Sequence, residues 1–157
     1  MSYRRAKAAD LDRLVQIEEA SFSPALYSRM PRRQFRAHID SERAVLIVVE
    51  DVNGIVQGYA LGFRHAQRRT LRFYSLAVDP LAQRGEYGKI LFQGIEAEAY
   101  RLGLGVQCEV RADNDKLKSR YDSLGYRAYK TVPEYYPDGA ACIKYEKDAT
   151  EIAQIFR

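Results

Sequence analysis

No stretch of this 157-residue chain approaches the ~18 consecutive apolar residues that a membrane-spanning helix needs. The opening residues, MSYRRAKAAD, lack the apolar core of a signal peptide. Only two cysteines occur, Cys108 and Cys142, far apart and without CxxC spacing. They make neither a disulfide framework nor a zinc site. No ligand cluster at metal spacing exists, so no metal is expected. Internal repeats, low-complexity tracts and Pro-, Ser- or Gly-rich linkers are also absent. What remains is the expectation of one cytoplasmic domain spanning 1–157, with room for a real core.

The apolar fraction is 46% and the charged fraction 29%, ordinary for a globular protein. Twenty-five basic against 21 acidic residues give a formal net charge of +4, mixed along the chain. That balance suits an anionic cofactor or an acidic partner, and equally an ordinary surface.

Periodicity and turn residues give the order of elements. Tyr3 to Lys7 reads as a strand. Asp10 reads as the N-cap of a helix in which Leu11, Leu14, Val15 and Glu18 recur at helical spacing. Pro31 suits the first turn of a second helix, ending near His38 or Ile39. AVLIVVED and IVQGYALGF read as strands joined through Asn53-Gly54, a strong hairpin signal. Gly58 and Gly62 in the return strand suggest a bulge or a close backbone approach. TLRFYSLAV is a strand, and a helix runs from Gly88 to Leu102, closed by Gly103 and Gly105. VQCEV, a helix over 114–124, and strands at 126–132 and 140–146 follow, and the tail from Asp148 reads as a short helix or a frayed end. Antiparallel strands ahead of two strand–helix crossovers describe a mixed α/β domain of three layers around one sheet.

The segment VDPLAQRGEYGKIL lies between a strand and a helix N-terminus. First-turn N–H groups have no intrahelical partner, and glycines let a phosphate approach them. Gln83-Arg84-Gly85-Glu86-Tyr87-Gly88 is therefore a candidate anion cradle. Two other segments draw notice. One is Glu109-Val110-Arg111-Ala112-Asp113-Asn114, followed by Tyr121-Asp122-Ser123-Leu124-Gly125-Tyr126. The other is Tyr135-Tyr136-Pro137-Asp138-Gly139.

Taken together, in this order and spacing, these segments resemble the GNAT family of acetyl-CoA-dependent N-acetyltransferases over nearly the whole chain. The first is similar to the family's Gln/Arg-x-x-Gly-x-Gly/Ala phosphate loop, with Gln83 and Gly88 matching. The second is similar to its EVRxxN…LYxxLGF block. The third looks like the YYxDGxDA stretch of the subfamily that acetylates protein N-terminal amines, the ribosomal-protein-alanine type. The resemblance implies a GNAT fold: a mixed, mostly antiparallel central sheet of six to seven strands flanked by about four helices. It implies acetyl-CoA as cofactor and a peptide or small amine as acceptor, attacking directly in a ternary complex. Nucleic-acid and membrane partners are not expected, and the chain would be a monomer or homodimer.

Roles follow residue by residue from that resemblance. Backbone N–H groups of Arg84, Gly85, Glu86, Tyr87 and Gly88 would hold the pyrophosphate, with charge from Arg84 and Lys89 and the helix dipole behind them. The strand Ser75 to Val78, including Leu76, would pair with the pantetheine arm, and the N–H of Ala77 or Val78 would polarise the thioester carbonyl. SLAV also reads as an ordinary buried strand. Glu109 would be the base, its pKa raised by burial in VQCEV, or else a carboxylate on the solvent face. Tyr121 would protonate the departing sulfur, or else is a core aromatic. Asn114 would cap its helix and contact the cofactor. Tyr135 and Tyr136 would wall the acceptor groove, or else belong to a surface hairpin with Pro137-Asp138-Gly139 as its turn. Glu18 and Phe22 would face the same groove. His38, His65, Cys108 and Cys142 read as structural.

Glu86 stands where the family's loop has its central glycine. If the position needs positive φ, a Cβ costs roughly 1–2 kcal/mol. A carboxylate ~6 Å from a phosphate charge, at an effective dielectric of ~20, costs about 3 kcal/mol before screening. Either the side chain turns outward and the cradle survives, or the fold is kept as a module that binds acyl-CoA or a partner without turnover.

Overall fold

The run 44–49 is apolar throughout because both faces of its strand are covered. Val45, Ile47 and Val49 enter one buried cluster, while Ala44, Leu46 and Val48 enter a second on the opposite face. A strand with one wet face would alternate instead. The computed structural model describes residues 2–25, 28–65, 67–83 and 85–157, so Arg84 lies outside the described residues.

The elements run β1 (Tyr3–Arg5), α1 (Leu11–Ser21), α2 (Arg32–Asp40), β2 (Ala44–Glu50), β3 (Val56–His65), β4 (Thr70–Val78), α3 (Tyr87–Leu102), β5 (Gly105–Arg111), α4 (Asp115–Ser123), β6 (Arg127–Val132), β7 (Cys142–Lys147) and α5 (Ala149–Ile155). Single 3-10 turns, Ala8–Asp10 and Pro80–Ala82, lead into α1 and toward α3. One seven-stranded sheet has the order β1-β2-β3-β4-β5-β7-β6. Every neighbouring pair is antiparallel except β4 and β5. Leu91, Ile95 and Ala99 of α3, Tyr121 of α4 and Ile152 of α5 fill the first cluster; Leu11, Leu14 and Ile17 of α1 and Phe35 of α2 fill the second. Each Leu, Ile or Phe among them contributes ~1.5–3 kcal/mol by leaving water.

Among the described residues the tail is a short helix rather than a frayed end, because Asp148 and Glu151 cap each other's backbone and start α5. One expectation is corrected. Asp10 makes no side-chain cap for α1. Its carboxylate instead takes two bonds from Arg4, at 2.8 and 2.9 Å, and one from the Lys7 N–H, fastening β1 to the first turn.

The feature that shapes the site is a break in the sheet. β4 and β5 pair only over Thr70–Arg72 and Gly105–Gln107. Opposite β3, Leu61 faces Ser75 and Gly62 faces Phe73, so Tyr74 is an extra residue on β4. Such a bulge bends its strand and strengthens the twist. Beyond it, β4 from Phe73 and β5 from Cys108 have no ladder between them, and a wedge opens in the sheet.

Candidate active site

Glu109 stands at the vertex of this wedge. Its side chain is 12% exposed and accepts bonds from Arg72 Nε at 2.7 Å and from the Tyr135 hydroxyl. Burial pushes the carboxyl up. The bonds from Tyr135 and Arg72 and the charges of Arg72 and Lys144 more than offset that and hold it below its ordinary value. The expected upward shift is therefore overturned: Glu109 is half-buried but held by two donors and two neighbouring cations, which favour the carboxylate. Arg72 was not singled out from the sequence. It reaches Glu109 because it lies opposite Gln107 in the parallel ladder, a register no local pattern encodes.

The wedge exposes one edge of β4. The Asp79 N–H donates to the Gln57 carbonyl across the β3–β4 ladder. Alternation then turns the N–H and C=O of Val78 and Leu76 away from β3, into the wedge, and those of Ala77 toward β3. The Val78 carbonyl accepts from Gln83 Nε2 at 2.9 Å, on the side away from β3. Two corrections follow: the Ala77 N–H faces β3 rather than a ligand, and the Gln83 side chain is spent on β4. The N–H groups of Leu76 and Val78 are placed to pair with an extended chain lying in the wedge.

Glu86 is resolved by its backbone. Its φ is −90° and ψ 19°, a conformation any residue adopts, and it is exposed as the N-cap of α3. The intrahelical ladder begins with Ile90 N–H to Glu86 C=O at 2.9 Å, so the N–H groups of Tyr87, Gly88 and Lys89 precede it. A Cβ on Gly88 would meet nothing within 4 Å, so the protein's own packing does not require glycine there. At Gly85 a Cβ would lie 2.8 Å from the Tyr87 ring, which covers that residue. The loop thus presents unpaired N–H groups, open space at Gly88 and an exposed Lys89, which suits a pyrophosphate.

Tyr121 on α4 is 7% exposed and packs against Phe92, Tyr126 and Tyr145. Burial and the neighbouring Cys108 thiol raise its pKa, so the hydroxyl keeps its proton. The Tyr121 ring thus packs in the core, and its hydroxyl lies next to Cys108, the first residue of β5 past the ladder. Burial pushes the Cys108 thiol up to about 12, which leaves it inert as a nucleophile. Asn114 caps α4 by accepting from Leu117 N–H at 3.1 Å, and it lines a surface cavity of about 600 Å3 along α4 with Leu117 and Arg120.

Tyr135 and Tyr136 lie in the β6–β7 loop, edge to face at 5.1 Å. Gly139, at φ 90°, closes the turn by donating to the Tyr136 carbonyl, and Arg111 holds Asp138 at 2.7 Å. The hairpin turn and the proximity to Glu109 are both present. Glu18 does not face the groove. It is 4% exposed, accepts from the Tyr59 hydroxyl and binds the Met30 N–H at 2.8 Å, while Tyr59 also meets Ser75 Oγ at 2.9 Å. Phe22 follows α1, half-buried against the second cluster. The structure thus brings Glu109 and Tyr135 into contact, with Tyr136 edge to face against Tyr135, and takes Glu18 out of the groove.

The model of the acetyltransferase (GNAT) domain family matches residues 13–149. No curated protein matches the chain significantly. Among solved structures, the ribosomal-protein-S18-alanine N-acetyltransferase from Escherichia coli is 23% identical over 94% of this chain and 93% of that one, with a TM-score of 0.78. The yncA protein from Salmonella typhimurium, solved with its cofactor acetyl-CoA, is 20% identical over 94% and 93%, with a TM-score of 0.76. The spermidine/spermine N-acetyltransferase SpeG from Vibrio cholerae is 15% identical over 99% and 96%, with a TM-score of 0.78. At these identities the likeness is one of fold. The family draws its acetyl group from acetyl-CoA, and the wedge and loop described above suit that cofactor. With the family match extending from α1 to the start of α5, the chain belongs to the GNAT acetyltransferases.

Proposed function

We propose that this chain acetylates the N-terminal amine of a peptide or protein by direct attack in a ternary complex. The observation that carries the reading is the placement of Glu109. It lies at the vertex of the wedge, beneath a tyrosine from the β6–β7 loop, where a cofactor arm and an incoming amine would meet.

Acetyl-CoA supplies the acetyl group as a thioester. The N–H groups of Leu76 and Val78 hold the pantetheine arm, and Val78 is the donor nearest the loop for its carbonyl. The N–H groups of Tyr87, Gly88 and Lys89 hold the pyrophosphate, with the Lys89 side chain beside it. Ionised Glu109 attracts the acceptor ammonium, which displaces Tyr135 as its donor, and takes the proton so that the amine is free to attack. As the C–N bond forms and the C–S bond breaks, the Tyr121 hydroxyl gives its proton to the sulfur, and the second proton of the acceptor nitrogen, shed as the amide forms, restores that hydroxyl through solvent. Tyr135 and Tyr136 supply flat faces with polar tips for a peptide backbone. The non-catalytic alternative loses its main support, since Glu86 does not need positive φ and lies exposed at the N-cap of α3.

The test is coenzyme A release with short peptides, alongside acetyl-CoA binding by calorimetry. Glu109→Gln should cut turnover by ~10²–10⁴-fold while cofactor affinity stays within error. Unchanged turnover would remove Glu109 from the chemistry, and no release with any peptide would sink the peptide reading.

A further inference from the structure

Beside Glu109 lies a pocket that proton transfer does not require. Its volume is about 160 Å3, room for on the order of five waters at ~30 Å3 each. Glu109 and Tyr135 form one wall, and Arg68, Arg72, Gln107 and Lys144 form others. Three permanent cations therefore face one carboxylate. Two are committed: Arg72 to Glu109 at 2.7 Å, and Arg68 to Glu146 at 2.5 Å and to the Tyr129 ring at 4.3 Å. Lys144 is directly across the β5–β7 ladder from Glu109, and no ion pair among the described residues engages its ammonium.

A second observation is independent of charge. Gln107 is 2% exposed and its Oε1 has no hydrogen-bond partner. An orphaned buried amide group is costly, so the amide is expected to find a partner. A half-turn of the amide lets the Tyr129 hydroxyl, also on the pocket wall, donate to Oε1, which leaves the Lys144 ammonium as the pocket's uncommitted donor.

We propose that this pocket is a carboxylate subsite, and that the amine presented to Glu109 is carried on a molecule whose carboxylate reaches Lys144. The inference rests on the acceptor reading above and narrows it to acidic acceptors. A peptide with Asp or Glu among its first residues meets the requirement, as does a free amino acid through its α-carboxylate. A polyamine does not, because its second ammonium would be driven against Lys144 and Arg72.

The test is calorimetric binding to the full chain in the presence of coenzyme A. The probes are a peptide with Glu in second position, its Gln counterpart, and free glutamate. The Glu peptide should bind at least ~tenfold tighter than the Gln peptide, the margin of one charge-assisted contact. Lys144→Met should reduce that ratio to under about twofold, and Lys144→Arg should restore it. Equal binding of both peptides, binding of neither, or a ratio that survives Lys144→Met would overturn the subsite. Glutamate binding as tightly as the Glu peptide assigns the carboxylate to a free amino acid; weaker binding assigns it to a peptide. Acetylation of the same peptides is scored separately. An acidic preference in binding without turnover leaves the subsite standing and removes the transferase reading, while turnover without preference does the reverse.

Discussion

The Tyr135 hydroxyl donates to Glu109 from 26 residues further along the chain, and this contact sets the charge state of the carboxylate at the vertex of the wedge. With Arg72 on its other oxygen, Glu109 stays ionised at pH values where an ordinary buried glutamate would begin to take up a proton.

Tyr135→Phe should therefore raise the pKa of Glu109, because a donor to its charged form is lost. The acid limb of kcat/KM should move to higher pH, while the alkaline limb stays in place. The matching stability effect has a defined sign. A carboxyl held low in the folded state stabilises above its unfolded value, near pH 4, and that contribution is lost as pH falls through the folded value. The variant should thus differ from the wild type in stability near neutrality and converge with it in acid. An unmoved acid limb would mean that Glu109 does not govern it.

Gly88→Leu separates cofactor binding from folding. The site is open within 4 Å of a Cβ, so the fold should tolerate the change and gain up to ~1 kcal/mol from helix propensity. A side chain over the first turn of α3 would block a pyrophosphate. Calorimetry should show acetyl-CoA affinity falling at least ~tenfold, equivalent to ~1.4 kcal/mol. Retained affinity would place the phosphates elsewhere.

Glu86→Gly should alter acetyl-CoA affinity by no more than about fivefold, since an exposed charge pair contributes ~0–1 kcal/mol. A hundredfold gain on this substitution would revive the idea of a cradle blocked by its own side chain.

Gly105→Ala tests the root of the wedge. A Cβ there would lie 2.4 Å from the Lys147 carbonyl oxygen and 3.0 Å from Asp148 Cα, which are backbone atoms and cannot turn aside. A loss of about 1–3 kcal/mol is expected in chemical denaturation, against no loss for Gly88→Ala. An unchanged midpoint would show that β5 and β7 can separate there at little cost.

Much of this protein was legible before folding. The Asn53-Gly54 hairpin, the left-handed Gly103 that ends α3 and the Asn114 cap are local. They depend on backbone conformation within a few residues, which composition encodes directly. The loop ahead of α3 and the order of its neighbours were legible for the same reason, and they suffice for the family. The bulge at Tyr74, the Arg72–Glu109 pair and the Glu18–Tyr59–Ser75 network were not, because each joins strands or helices distant in sequence whose register is fixed only when the sheet assembles. The same holds for the ionisation of Glu109. Its sequence neighbours foretell burial, which raises a carboxyl. Tertiary structure brings two donors to it, and in a low-dielectric site their bonds outweigh the desolvation that the sequence alone could see.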